Sequence, residues 1–286
     1  MKQVVILSGK GGTGKTTLSS AFSTLTQSAV VVDADVDAAN MHILLKATDT
    51  EALDFMGKTV AAIGLEQCTE CGLCLDVCRF DAISPQFIVD AVECEGCDAC
   101  RLVCQFDAID LIGRVSGKWR KGRLKNGWLV DAALRPGGEN TGKLVDQVRN
   151  KGIEIAQAEG IDLIIIDGPP GIGCPVISSI TGTDLIVAVV EPTVSAIHDL
   201  KRLLELARHF RVPVAAVINR ADIDPDTTEK LKTYLTTQNI VITGEIPFDQ
   251  GIYRALEQGD PAVNMGGPGA EAIVCAWEKI KTLIFA

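Results

Sequence analysis

Eight cysteines fall into two runs of one spacing: Cys68, Cys71, Cys74 and Cys78, then Cys94, Cys97, Cys100 and Cys104. Each run reads C-x2-C-x2-C-x3-C. Thiolates are soft, anionic ligands, and this spacing wraps a short loop around a [4Fe–4S] cluster, with the fourth cysteine of each run ligating the other cluster. The expected ligand sets are Cys68, Cys71, Cys74 and Cys104 for one cluster, and Cys78, Cys94, Cys97 and Cys100 for the second. Zinc is the rival ligand, but zinc sites rarely use two triads that each need a distant fourth cysteine.

The runs belong to a longer repeat. Cys68–Ile83 (CTECGLCLDVCRFDAI) aligns with Cys94–Ile109 (CEGCDACRLVCQFDAI) at a constant offset of 26 residues. A pseudo-symmetric two-cluster ferredoxin looks like this. The residue after the fourth cysteine, usually proline, is Arg79 in one run and Gln105 in the other. That removes no ligand but alters the turn and the hydrogen bonds available to sulfur.

A second chemistry precedes the cysteines. Gly9-Lys10-Gly11-Gly12-Thr13-Gly14-Lys15-Thr16, followed by Thr17, sits between an apolar run and a helical stretch. This is a phosphate-binding loop: backbone N–H groups and a helix N-terminus converge on phosphate oxygens. Gly9, Gly12 and Gly14 are expected where a side chain would block the approach or where φ is positive. Lys15 neutralises the β- and γ-phosphates, and the Thr16 hydroxyl is placed for Mg²⁺. ATP and Mg²⁺ are therefore the expected ligands.

Carboxylates stand where a doubly wound sheet binds its ligands, beyond the carboxyl ends of strands. Asp33, Asp35 and Asp37 follow one apolar run, Asp167 ends another, and Asn219 and Asp222 follow a third. Asp37 reads as a helix N-cap. Loop capping and a ligand role both remain open for Asp222.

The KGGTGKT form, with its early lysine, resembles the deviant phosphate loop of the MinD/ParA/Mrp superfamily of ATPases, to which the nitrogenase iron protein also belongs. The resemblance implies a Mg-ATP-dependent dimer, either a homodimer or a heterodimer with a related ATPase. It implies low intrinsic turnover, with Lys10, Lys15 and Asp35 as catalytic residues. Lys10 would reach the partner's nucleotide, an exposed loop lysine being the alternative. Asp35 would orient the attacking water and Asp33 would support Mg²⁺ or the loop. Thr16, Asp35 and Asp167 would surround Mg²⁺. Asp167-Gly168-Pro169-Pro170-Gly171 resembles the switch segment of Mrp-like members. Asn219 would meet the adenine, and Pro247-Phe248-Asp249 resembles the later base-contacting turn, with Pro247 and Asp249 at the nucleotide. In the nitrogenase iron protein a cysteine placed like Cys174 holds a cluster shared between subunits. That arrangement needs a second cysteine, and Arg135 to Lys143 has none, so Cys174 is expected to be a small buried residue. Cys275 is expected in the core of a C-terminal helix.

The elements that must position these groups follow from periodicity. Short apolar runs at Val4–Leu7, Ala29–Val32, Ile161–Ile166, Asp184–Val190 and Val214–Ile218 read as buried parallel strands alternating with helices. The expected fold is α/β, a doubly wound, mostly parallel sheet carrying an inserted α+β ferredoxin-like domain. The expected division is 1–61 and 113–286 for the ATPase and 62–112 for the insert. Gly113 to Val130, rich in Arg and Lys, reads as a basic hairpin, either solvated or a docking patch.

Apolar residues make up 47% of the 286-residue chain and aromatics 5%, so the core must be aliphatic. The formal net charge of −10 argues against general nucleic-acid binding and against anionic lipid surfaces. No apolar run approaches the roughly 18 residues that span a bilayer, and Trp277–Ala286 lacks the basic amphipathic form of a MinD membrane anchor. Eight cysteines in cluster spacing point to a reducing cytoplasm. Two functions compete. In the first, ATP gates electron transfer, or delivery of a metal centre, to a redox or metallocluster protein. In the second, the chain is a positioning or scaffold switch whose clusters are structural or redox-sensing.

Overall fold

The computed structural model describes residues 1–135 and 141–286. The chain begins β1 (Lys2–Leu7), α1 (Lys15–Leu25), β2 (Ala29–Asp33), α2 (Met41–Leu45) and β3 (Thr48–Ile63). Two short helices, α3 (Leu73–Val77) and α4 (Ala99–Val103), precede β4 (Ile109–Leu124) and β5 (Gly127–Leu134). The rest alternates: α5 (Thr141–Glu159), β6 (Leu163–Asp167), α6 (Cys174–Ile180), β7 (Leu185–Val190), α7 (Val194–Phe210), β8 (Val214–Asn219), α8 (Pro225–Thr237), β9 (Val241–Ile246), α9 (Gln250–Glu257) and α10 (Pro268–Phe285).

Among the described residues the strands form a nine-stranded sheet in the order β3-β4-β5-β2-β6-β1-β7-β8-β9. From β5 to β9 every neighbouring pair is parallel. Strands buried on both faces need no polar alternation, which is why β2, β6 and β7 are runs of Val, Ile, Leu and Ala, with Asp only at the ends of β2 and β6. Val4, Ile6, Ile165, Val187 and Val217 face one core with α1 and α10, where Trp277 stacks on Phe22 at 4.7 Å between centroids. Val30 and Val32 lie against Gly152 of α5, where an added Cβ would come within 2.6 Å of Val32 Cγ2. The sheet is thus covered on both faces, as a doubly wound fold requires.

The chain divides into two compact units. One is Met1–Ala52, Trp119–Ala133 and Thr141–Ala286; the other is Leu53–Lys118 plus Leu134–Asn140, of which only Leu134 and Arg135 are described. The expected boundaries after residues 61 and 112 therefore fall inside β3 and β4. β3 was not foreseen. Its first seven residues are exposed and mostly polar, it occupies a sheet edge, and its apolar run, Val60–Ile63, comes only at its far end. The basic hairpin is present as β4 and β5, turning at Lys125-Asn126. Much of its charge is matched: Arg120 pairs with Asp131 at 2.6 Å, Lys121 with Glu51 at 2.8 Å and Arg123 with Glu159 at 3.4 Å. Among the described residues no helix is long and apolar enough to cross a membrane.

Candidate functional site

The phosphate loop leaves β1 and enters α1 at Lys15. Gly12 (φ 80°) and Gly14 (φ 94°) take the left-handed conformation that favours glycine, and an added Cβ on Gly14 would lie 2.5 Å from Asn219 Nδ2. Gly9 is needed for a different reason than expected: its Cβ would meet Asp199 Cβ at 2.1 Å, so it lets α7 pack against the loop. Lys15 is 6% exposed, and the buried Thr13 hydroxyl has no hydrogen-bond partner. A buried ammonium beside an unpaired hydroxyl suits a phosphate, which accepts from both.

Asp167 closes the site from the end of β6. Thr16 Oγ1 donates to its Oδ2 at 2.6 Å and Ser19 Oγ to its Oδ1 at 2.8 Å. Burial pushes the Asp167 carboxyl up to about 6, against the two hydroxyl bonds and the Lys15 charge, with Asp35 adding to the rise. Ser19 was not foreseen. It lies three residues after Thr16, on the same helix face, which was the available signal.

Asp33 is fully buried and its carboxylate accepts from the amides of Asp35 (3.2 Å), Asn40 (3.1 Å) and Met41 (3.0 Å). Burial first, then the neighbouring Asp167, holds its carboxyl well above the usual range. Of its two expected roles, tying the loop is the one the geometry displays. Asp37 is not the helix cap: Asn40 holds the N-cap position of α2, and Asp33 takes the free amides there. Asp35 is half-buried, pushed up by burial, lowered by Lys15 and raised by Asp37. Lys15 therefore acts on both Asp35 and Asp167. Lys10 extends the other way, its Nζ 3.4 Å from Thr193 Oγ1 and 3.3 Å from Ser195 Oγ.

Beside the loop lies a cavity of about 420 Å³ lined by Gly14, Thr17, Asn219, Pro247 and Asp249. Asn219 Nδ2 donates to the Thr13 carbonyl at 2.8 Å, joining the end of β8 to the loop. Phe248, between Pro247 and Asp249, lines it too, and among the wall residues that were missed are Arg220 and Tyr253. Arg220 pairs with Glu191 at 2.6 Å and stands 5.6 Å from the Tyr253 ring centroid. Asp249 uses its carboxylate to accept from Gly251 N (2.7 Å) and Gly269 N (2.8 Å), fastening α9 and α10. Asp222 accepts from Phe248 N at 2.6 Å, which makes it a loop tie.

In the second unit Cys68, Cys71, Cys74 and Cys104 line one cavity of about 320 Å³, and Cys78, Cys94, Cys97 and Cys100 line another of about 360 Å³. The fourth cysteine of each run stands in the other run's cavity. Its followers go with it: Phe80, Ala82 and Ile83 wall the second cavity, Phe106, Ala108 and Ile109 the first. The repeat extends to the backbone. Glu70, Gly72 and Asp81 have φ of 55°, 82° and 51°; Gly96, Asp98 and Asp107, each 26 residues on, have 60°, 69° and 48°. The Ala61 amide donates to Cys94 Sγ at 3.4 Å. Burial pushes the Cys74 and Cys100 thiols up, with neighbouring thiols adding to it. Among the described residues no three His, Cys, Asp or Glu gather tightly enough to hold a single metal ion.

The two remaining cysteines depart from expectation. Cys174, the first residue of α6, and Cys275, on α10, are both exposed rather than buried. Each lies on the outer side of a helix whose buried residues are others, so helix face overrides the apolar character of the side chain. Most of the cysteine-free stretch from Arg135 to Lys143, residues 136–140, lies outside the described residues.

Known proteins are similar to this chain. An uncharacterized protein of Methanocaldococcus jannaschii is 34% identical over 99% of this chain and 97% of its own length. The chloroplastic septum site-determining protein minD homolog of Arabidopsis thaliana is 27% identical over 91% of this chain and 68% of its own. The structure of MinD from Pyrococcus horikoshii complexed with Mg-ADP superposes with a TM-score of 0.59, at 19% identity over 99% of this chain and 96% of that one, which is a likeness of fold. The family model for the CobQ/CobB/MinD/ParA nucleotide-binding domain matches residues 4–262. With that match extending over most of its length, the chain belongs to the CobQ/CobB/MinD/ParA nucleotide-binding family.

Proposed function

We propose that the protein is a Mg-ATP-dependent switch that dimerises on ATP, hydrolyses it slowly and thereby positions or releases a protein partner, with iron–sulfur clusters in its second unit as structural or redox-sensing centres. One observation carries the nucleotide half: buried Lys15, the unpaired Thr13 hydroxyl and the Thr16–Asp167 pair converge at one helix N-terminus. Lys15 would neutralise the phosphates, Thr16 and Asp167 would hold Mg²⁺, and Asp35 would orient water toward the γ-phosphorus. Lys10, resting on Thr193 and Ser195, would leave them to meet the partner's nucleotide. The septum-site relatives favour a positioning switch over electron delivery.

What supports the clusters is the donor set. Four thiols surround each apolar cavity in the crossed pattern, and the fit is better for a polynuclear group than for zinc. Zinc needs four ligands on one point, whereas the four thiolates around a [4Fe–4S] cluster each bind a different iron. When bound, such a group exchanges single electrons. The chain's own contribution is to supply the thiolates, exclude water with Phe80 and Phe106, and donate the Ala61 amide to sulfur. The duplication itself favours a second reading, electron or metal-centre delivery, because two paired cavities exceed what a structural staple needs.

Anaerobically purified protein should be brown and carry roughly eight irons per chain. Stoichiometric zinc without visible absorbance would remove the cluster assignment. In an Asp35→Ala background, ultracentrifugation with ATP should give dimers when Lys10 is intact and monomers with Lys10→Ala. Facing nucleotides repel unless each subunit lends the other a cation. Equal dimerisation would end the trans role of Lys10.

A further inference from the structure

Asp35 sits in the segment between β2 and α2, and that segment is fastened at both ends. Ala34 N donates to the Asp167 carbonyl at 2.8 Å, and Asp33 collects the amides of Asp35, Asn40 and Met41. Asp33 does not act alone. Val32 pairs with Val130 and Asp33 with Asp167, so Asp131, within β5, lies beside Asp33 and Asp167, the last residues of β2 and β6. All three are buried. Such a row of carboxylates repels itself unless cations flank it. Lys15 acts on Asp167 at one end. At the other, Arg120 of β4 donates from Nε to Asp131 Oδ1 at 2.6 Å. His42, the second residue of α2, completes the anchor: its Nδ1 is 3.2 Å from an Arg120 amino group and 3.9 Å from Asp131 Oδ2.

Resting on the ATPase reading above, we propose that Arg120 is a positioning residue for the Asp35 loop, acting through Asp131 and His42. Asp33 fixes the backbone at the loop's far end, and the Arg120–Asp131 pair fixes the side chain of the next helical residue and screens Asp33 from a second buried negative charge. Together they set where Asp35 stands relative to Lys15. Groups that hold a reacting residue in place change turnover more than they change binding.

The test uses the full-length protein. Arg120→Met with Asp131→Asn removes the pair together, so that no lone buried charge is left to unfold the sheet. Amide hydrogen exchange is read at residues 34–41 and, as a control, in α10. Single-turnover ATP hydrolysis and ATP affinity are measured in parallel. The expected result is loop exchange faster by roughly tenfold with α10 unchanged, hydrolysis slower by roughly tenfold, and ATP affinity within about threefold. Arg120→Lys, which keeps the charge, should recover hydrolysis to within about threefold of wild type. Unchanged loop exchange, equal loosening of α10, or an unchanged hydrolysis rate despite a loosened loop would each overturn the proposal. Absence of turnover in the wild type would instead sink the ATPase reading, and the exchange measurement would still decide whether Arg120 anchors the loop.

Discussion

In the nucleotide unit Thr16 meets Asp167 across 151 residues of chain, and Asn219 reaches Thr13 across 206. In the cysteine unit every wall of both cavities comes from residues 61 to 111. The first site is set by where strands end in a sheet whose central strands are completely buried, so it stands ready before any ligand arrives. Among the described residues the second has a core of nine buried residues, three of which are cysteines. A core that small cannot offset the entropy of ordering its loops unaided, and the clusters proposed for the thiols would supply part of the folding free energy.

The sharpest way to break this contrast is to remove iron. Chelation under air should melt the cysteine unit, seen as loss of amide protection across 64–108, while leaving nucleotide affinity within about threefold. Joint melting of both units, or no change in either, would show that they do not differ in this way. Next in size is Lys15→Ala. It deletes charge-assisted bonds to two phosphates, worth about 4 kcal/mol, and so should weaken ATP binding by roughly a thousandfold in a titration with fluorescent nucleotide. Its iron content should match wild type, because its partners all lie in the other unit.

The crossed ligand sets give a third test, of half the iron. Cys71→Ser and Cys104→Ser belong to different runs but line one cavity. Combined, they should still leave roughly four irons per chain. Cys71→Ser with Cys97→Ser strikes both cavities and should leave almost none. Almost no iron in the Cys71→Ser, Cys104→Ser variant would mean that each run serves its own cavity.

What the sequence made legible follows the same division. The phosphate loop is contiguous, so eight adjacent residues spell it out. The cysteine partition was read from the resemblance of each run to a two-cluster ferredoxin, in which the fourth thiol joins the other run's cluster. The central strands declare themselves as apolar runs ending in Asp33 and Asp167. Contacts assembled from afar were not legible. Arg220, just after β8, and Tyr253, on α9, join the loop-side cavity only through the fold, and nothing local distinguishes them from ordinary surface residues. β3 is hidden because an exposed edge strand has no periodic signal. Asp37 was assigned by a local capping rule, whereas the decisive fact is which amides Asp33, at the buried strand end, can reach. Cys174 and Cys275 went wrong because residue type was allowed to decide burial that helix phase decides.

The smallest effect tests how far the nucleotide site is prepared at the expense of stability. In the folded protein without nucleotide, Asp167 titrates near 6, against an ordinary value of 3.8. Between those values the folded state keeps a proton that the unfolded state has released. This carboxyl's contribution is therefore fully present below pH 3.8, declines as pH rises through the window, and is gone above about 6. Asp167→Asn does not titrate. In urea unfolding without nucleotide the variant should match wild type near pH 4 and exceed it by about 2 kcal/mol at pH 7.5. Relief of the repulsion on Asp33, whose carboxyl is raised partly by Asp167, acts in the same direction. Mg-ADP should reverse the order, because a ligand that binds only the folded wild type stabilises it by mass action and the amide offers the cation no charge. If the variant is no more stable at pH 7.5, the buried carboxylate costs nothing there. The unit would then not be holding a charge ready for Mg²⁺, and the contrast with the cysteine unit would rest on packing alone.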